Sequence, residues 1–103
     1  MAVSLCIDTS AVNTAKLVLT IGTDRFEKTR ESRILKSQTV LPLIEEILTE
    51  HQLKLTDITD ISVATGPGSF TGLRVGATIA NALGYLLGVP VNGKKDLVIP
   101  TYS

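Results

Sequence analysis

The chain has 103 residues, enough for one small domain with a core of its own and too few for a two-domain cleft enzyme. A composition of 44% hydrophobic, 4% aromatic and 19% charged residues predicts an aliphatic core and excludes disorder. Ten basic and ten acidic residues cancel, which leaves no field to draw the chain itself onto a nucleic acid or an anionic membrane.

Cys6, the single cysteine, lies in an apolar run and offers neither a disulfide nor a metal cluster, so it reads as a core residue of a reducing compartment. The N-terminus lacks the basic region and apolar segment of a leader. The most membrane-like stretch, Val75 to Val91, holds Asn81, Pro90 and three glycines and falls short of a span. A cytoplasmic protein with no membrane partner is expected.

In chain order, Val3 to Ile7 predicts a strand ending in the polar turn Asp8-Thr9-Ser10. Ala15 to Ile21 and Arg25 to Glu31, joined by Gly22-Thr23-Asp24, predict a hairpin whose more polar second strand suits a sheet edge. Ser37 or Thr39 could cap the next helix, expected from about residue 38 to His51 because Pro42 is tolerable only near a first turn. Its apolar face is Val40, Leu41, Leu43, Ile44, Ile47 and Leu48. Leu53 to Thr59 reads as a connector with Leu55 and Ile58 turned inward. Ile61 to Ala64 predicts a buried strand.

A glycine-rich turn, Thr65 to Gly72, joins that strand to a helix ending near Leu87, and Val89-Pro90-Val91 reads as a short last strand. The helix carries small residues at Gly72, Gly76, Ala80, Gly84 and Gly88, a ridge along which another backbone could approach. Leu73, Ile79, Leu83, Leu86 and Leu87 make it apolar nearly all round, so cover on more than one side is expected.

Several chemistries are excluded. His51 is the only histidine, so a histidine-pair metal site is impossible; a Gly-x-Ser-x-Gly elbow is absent, and the glycine-rich turn has neither P-loop spacing nor a lysine after Gly72. Two readings of the turn stay open: a phosphate resting on backbone N–H groups near Ser69 with Arg74 beside it, or a structural turn. Asp8, Thr9 and Ser10 likewise read either as a strand-end nucleotide or metal site or as side chains that satisfy their own turn. No cofactor is implied.

Three strings then carry a resemblance: Ile7-Asp8-Thr9-Ser10, the run from Ser37 to Leu48, and Gly66-Pro67-Gly68-Ser69-Phe70-Thr71-Gly72-Leu73-Arg74-Val75-Gly76. The chain resembles the TsaB (YeaZ) family from residue 3 to about 93. The resemblance implies a single α/β domain over residues 1–93, actin-like or ribonuclease H-like (the ASKHA superfamily), in the order β-β-β-α-β-α-β. It implies a mixed sheet with two main helices, followed by a tail at 94–103.

It also implies a non-catalytic accessory role in tRNA threonylcarbamoyladenosine formation. The partners would be a TsaD-like paralogue and a TsaE-like ATPase, with tRNA met only indirectly and a homodimer as a further option. The implied pairing surface lies on the two helices, for which Leu41, Ile44, Leu48, Leu73, Gly76, Ala80, Leu83, Gly84 and Leu87 are the expected interface residues. Two departures stand out: Lys36 occupies the place of a family histidine, and family chains have a second domain of the same fold. The rival expectations are a nucleotide-binding or ATP-hydrolysing half-domain using Asp8, Thr9, Ser10, Ser69 and Arg74, and an inactive remnant.

Overall fold

A computed structural model describes residues 2–31 and 36–94, with Lys36 and Ser37 described in backbone only. The predicted strands appear as β1 (Val3–Asp8), β2 (Thr14–Ile21), β3 (Asp24–Glu31) and β4 (Asp60–Val63), and the helices as α1 (Lys36–Glu50) and α2 (Phe70–Leu87). The sheet order is β3-β2-β1-β4, with β1 antiparallel to β2 and parallel to β4, so Leu5 sits between Leu19 and Ile61. Alternation does the rest: Val3, Leu5 and Ile7 join Ala15, Leu17 and Leu19 on one face, with Ile61 and Val63 beside them. Both helices close over that face, and their apolar rows complete a single core.

On α1 the buried stripe is Val40, Leu43, Ile44, Ile47 and Leu48, each side chain contributing about 1.5–3 kcal/mol by leaving water. Leu41 is not in it. Spaced four apart with Glu45 and Thr49, it lies on the outward row and remains 48% exposed. The helix is already formed at Lys36, so neither Ser37 nor Thr39 is its cap and Pro42 falls in the second turn. Pro42 is tolerated there because it lies on the solvent side, where the carbonyl it leaves unbonded can be hydrated.

Edge strand β3 is tied to α1 by charge. Lys28 Nζ lies 2.6 Å from Glu50 Oε2, and Arg30 grips both carboxylate oxygens of Glu46, a pairing that raises the guanidinium pKa and lowers that of the carboxyl. Phe26 rests against the His51 ring, with centroids 4.1 Å apart, and His51 Nδ1 lies 2.8 Å from the Ile47 carbonyl oxygen.

Further expectations are corrected. Cys6 lies on the opposite sheet face from the helices, half-buried between Val18 and Ser62; burial, then the Asp8 charge, pushes its thiol up. Ile58 does turn inward, but Leu55 belongs to a short 3-10 turn (Leu55–Asp57) and stays exposed.

The last strand shrinks to one bridge, Val91 beside Ile61. Asn92 and Gly93 take φ of 52° and 77°, the two positive angles of a type I′ turn, and Val91 and Lys94 exchange backbone bonds of 2.8 and 3.0 Å across it. The chain thus folds away from the sheet edge, and the Asn92 amide takes the place of strand backbone. Its Oδ1 accepts from Val63 N at 2.8 Å and its Nδ2 donates to Val63 O at 3.1 Å. Asn92→Ala loses both bonds and a residue suited to positive φ, and should cost about 2 kcal/mol in a denaturant melt. An unchanged midpoint would show that the amide does not hold this edge. Tail residues 95–103 lie outside the described residues.

Candidate functional site

The two turns singled out in the sequence meet at the C-terminal ends of β1 and β4. Asp8 Oδ1 accepts from Ser10 N at 2.9 Å and from Ser10 Oγ at 2.5 Å, a local turn of the kind short polar side chains make. Ser69 N donates to Ser10 O at 2.7 Å, stitching the second turn to the first, and Ser69 Oγ accepts from Gly72 N as the N-cap of α2. Gly68 is required by this seam: a Cβ there would lie 2.6 Å from Ser10 Cβ, and its φ of 159° is poorly suited to a side chain.

Thr9 is buried, and its hydroxyl donates to the Gly72 carbonyl at 2.5 Å, so it braces the turn rather than facing a ligand. Arg74 is placed elsewhere. It lies over the Phe70 ring at 5.2 Å and lines a shallow groove along α2 with the exposed Phe70, Thr71 and Thr78, the half-buried Val75 and the buried Ile79. Of the five residues expected to hold a nucleotide, Asp8, Ser10 and Ser69 are therefore brought together, Thr9 is committed inward and Arg74 belongs to a different surface.

The small-residue ridge is also corrected. Gly76 is pressed on Thr9 and Val63, where a Cβ would overlap Thr9 Oγ1, and Gly84 faces Val91, whose Cγ2 would be 2.5 Å from a Cβ. The backbone that approaches this ridge is the chain's own sheet and its following turn. Leu73, Ala80 and Leu83 are buried beside it, and Ile44 and Leu48 are buried on α1. Leu87 is half-buried against the core, so of the nine expected interface residues Leu41 alone is exposed.

What faces outward is Leu86 at 75% exposure, one of the residues for which cover on a second side was expected, together with Phe70 at 53% and Tyr85 at 87%, which the sequence left unassigned. For Tyr85 the signal was available in the spacing, because a ridge at 72, 76, 80 and 84 aimed at the sheet leaves 71, 74, 78, 82 and 85 on the far side, whereas Phe70 and Leu86 fall on its two flanks. Leu41 on α1 and Phe70, Tyr85 and Leu86 on α2 are the large apolar side chains the two helices expose, beside Val12 and Leu55 in turns. Among the described residues, no three histidine, cysteine or acidic side chains gather as metal ligands, and no helix is long and apolar enough to cross a membrane.

Comparison with known proteins agrees with this fold. The family model described as TsaD, tRNA N6-adenosine threonylcarbamoyltransferase, matches residues 32–98, well over half the chain. The tRNA threonylcarbamoyladenosine biosynthesis protein TsaB of Escherichia coli is 40% identical over 62 residues, covering 60% of this chain and 27% of that protein. Its Bacillus subtilis counterpart is 31% identical over 93 residues, 90% of this chain and 41% of that one. The solved structure of YeaZ from Pseudomonas aeruginosa superposes with a TM-score of 0.82 at 27% identity, over 88% of this chain and 42% of that chain. The chain thus spans less than half the length of these relatives. With the sheet order, the two helices and the glycine-rich turn all in place, the chain belongs to the TsaB (YeaZ) family, within the reach of the TsaD family model, and has its actin-like α/β fold.

Proposed function

We propose that this chain is a non-catalytic accessory unit that binds a TsaD-like partner and supports its threonylcarbamoylation of adenosine in tRNA. In this reading it works in the cytoplasm, within an assembly that includes a TsaE-like ATPase, and meets tRNA only through its partner. The observation that carries the reading is the exposed apolar set on the outer sides of α1 and α2: Leu41, Phe70, Tyr85 and Leu86. A small domain gains nothing from holding such side chains in water, whereas each is worth about 1.5–3 kcal/mol when fully covered. Family membership gives the partner its class, because the TsaB relatives are named for the same biosynthesis that the TsaD model names as a transferase.

The surface as corrected also changes which substitutions probe it, since Gly76, Ala80, Leu83 and Gly84 serve the core. Co-expression with the TsaD-like protein of the same organism should yield a complex that survives gel filtration. Two separate peaks at micromolar concentrations would contradict the reading.

A further inference from the structure

Asn13, Asn81 and Asn92 are the asparagines of the chain, and only Asn92 is followed by glycine. That dipeptide carries a chemistry of its own, because glycine has no side chain to keep its backbone nitrogen away from the preceding carboxamide. The Gly93 nitrogen, once its proton has gone to a solvent base, bonds to Asn92 Cγ while the Cγ–Nδ2 bond breaks and ammonia leaves. Water then opens the cyclic imide at either carbonyl, which gives aspartate or an isoaspartate whose main chain runs through Cγ. No oxidant or reductant is needed, and water is the one co-reactant.

The surroundings expose this pair and restrain it at one contact. Asn92 and Gly93 are both exposed, and nothing lies within 4 Å of the place of a Cβ on Gly93. The carboxamide, however, is laid across the backbone of β4, with Oδ1 accepting from Val63 N at 2.8 Å and Nδ2 donating to Val63 O at 3.1 Å. Turning Cγ toward the Gly93 nitrogen means breaking these bonds, so the reaction runs through molecules whose last turn has opened locally.

We propose that Asn92 is a site of spontaneous deamidation, restrained by its two bonds to Val63, and that its conversion frees the last turn from the edge of β4. Aspartate keeps an acceptor for Val63 N but sets a second oxygen, charged at neutral pH, against Val63 O where a donor stood. Isoaspartate adds a carbon to the main chain of a turn in which Val91 and Lys94 exchange backbone bonds. In both products β4 loses the cover that Pro90 O and Asn92 N give to Ile61, which leaves a strand edge unpaired.

The test is a time course of the full chain at mildly alkaline pH, folded in buffer and unfolded in guanidinium, with the converted residue located by fragmentation of its peptides in a mass spectrometer. Conversion should be fastest at Asn92 in the unfolded chain, give both aspartate and isoaspartate, and run about tenfold or more slower in the folded chain. Gly93→Ala should slow it severalfold in guanidinium, a comparison that does not depend on folding. Asn92→Asp, the product made directly, should unfold at a lower guanidinium concentration than the parent. Equal rates in the two states would show that the Val63 bonds restrain nothing, and faster conversion at Asn13 or Asn81 in guanidinium would move the site. Aspartate as the sole product would exclude the imide, and an unchanged midpoint in Asn92→Asp would remove the structural consequence. Any one of these four results overturns the proposal.

Discussion

Gly76→Val should lower the stability of the domain by about 3 kcal/mol, although valine is apolar and the position lies on a long apolar helix. The helix backbone at Gly76 is pressed against β1 and β4, with Thr9 and Val63 directly opposite. A Cβ would overlap Thr9 Oγ1, whose proton is already given to the Gly72 carbonyl in a buried bond. Relief requires either helix displacement, an overpacking cost of about 1–3 kcal/mol, or rotation of Thr9 with loss of a hydrogen bond worth about 1 kcal/mol. The gain from replacing glycine inside a helix, at most about 0.5 kcal/mol for a β-branched residue, does not offset this. In urea the midpoint should fall with little change in slope. A midpoint equal to that of the parent would mean that Gly76 is not packed on the sheet.

Leu83→Glu and Leu86→Glu, three residues apart on one helix, should have opposite consequences. Leu83 is 8% exposed within the core cluster and Leu86 is 75% exposed. Glutamate at 83 gives up the burial of a leucine, about 2–5 kcal/mol, and places a carboxylate among apolar side chains, which is enough to unfold a small domain. Glutamate at 86 should leave the melt within about 0.5 kcal/mol of the parent and act on association alone. There the loss of at least 2 kcal/mol of apolar burial predicts roughly 30-fold weaker binding to the TsaD-like partner. Circular dichroism melts and a binding titration on both variants separate the two effects. If both variants fold and both bind, the division of α2 into an inner and an outer face is wrong.

That division shows what the sequence could convey. The elements were legible because their signals are local: period-two alternation in Val3 to Ile7, β-branched runs in the hairpin, and a helix from Phe70 to Leu87 that is apolar nearly throughout and free of proline. The direction of a face was not. Glycines and alanines four apart announce that some backbone comes close, but nothing in the spacing says whose, and the closest neighbours here are Thr9, Val63 and Val91 of the same chain.

Between the two readings of the polar turns, spacing alone could not choose, for the same reason. Asp8, Ser10, Ser69 and Arg74 are polar groups at strand and helix ends, where ligands bind, yet Asp8 and Ser10 bond one another and Arg74 leans on Phe70. The last strand was lost to a signal that was present, because Asn92-Gly93 is the dipeptide of a type I′ turn and outweighed the short apolar run before it. Position 41 was misplaced because a broad apolar run on α1 conceals the one leucine that shares a row with Glu45 and Thr49.

The central claim is that the outer sides of the helices, Tyr85 and Leu86 above all, form the surface that binds a TsaD-like partner. Light scattering coupled to gel filtration tests it most directly, with the parent chain and a Tyr85→Glu/Leu86→Glu double variant each mixed with that partner. The account predicts a single species of summed mass for the parent and two separate species for the double variant, which melts at the temperature of the parent. A double variant that still co-elutes with the partner at the summed mass would contradict it.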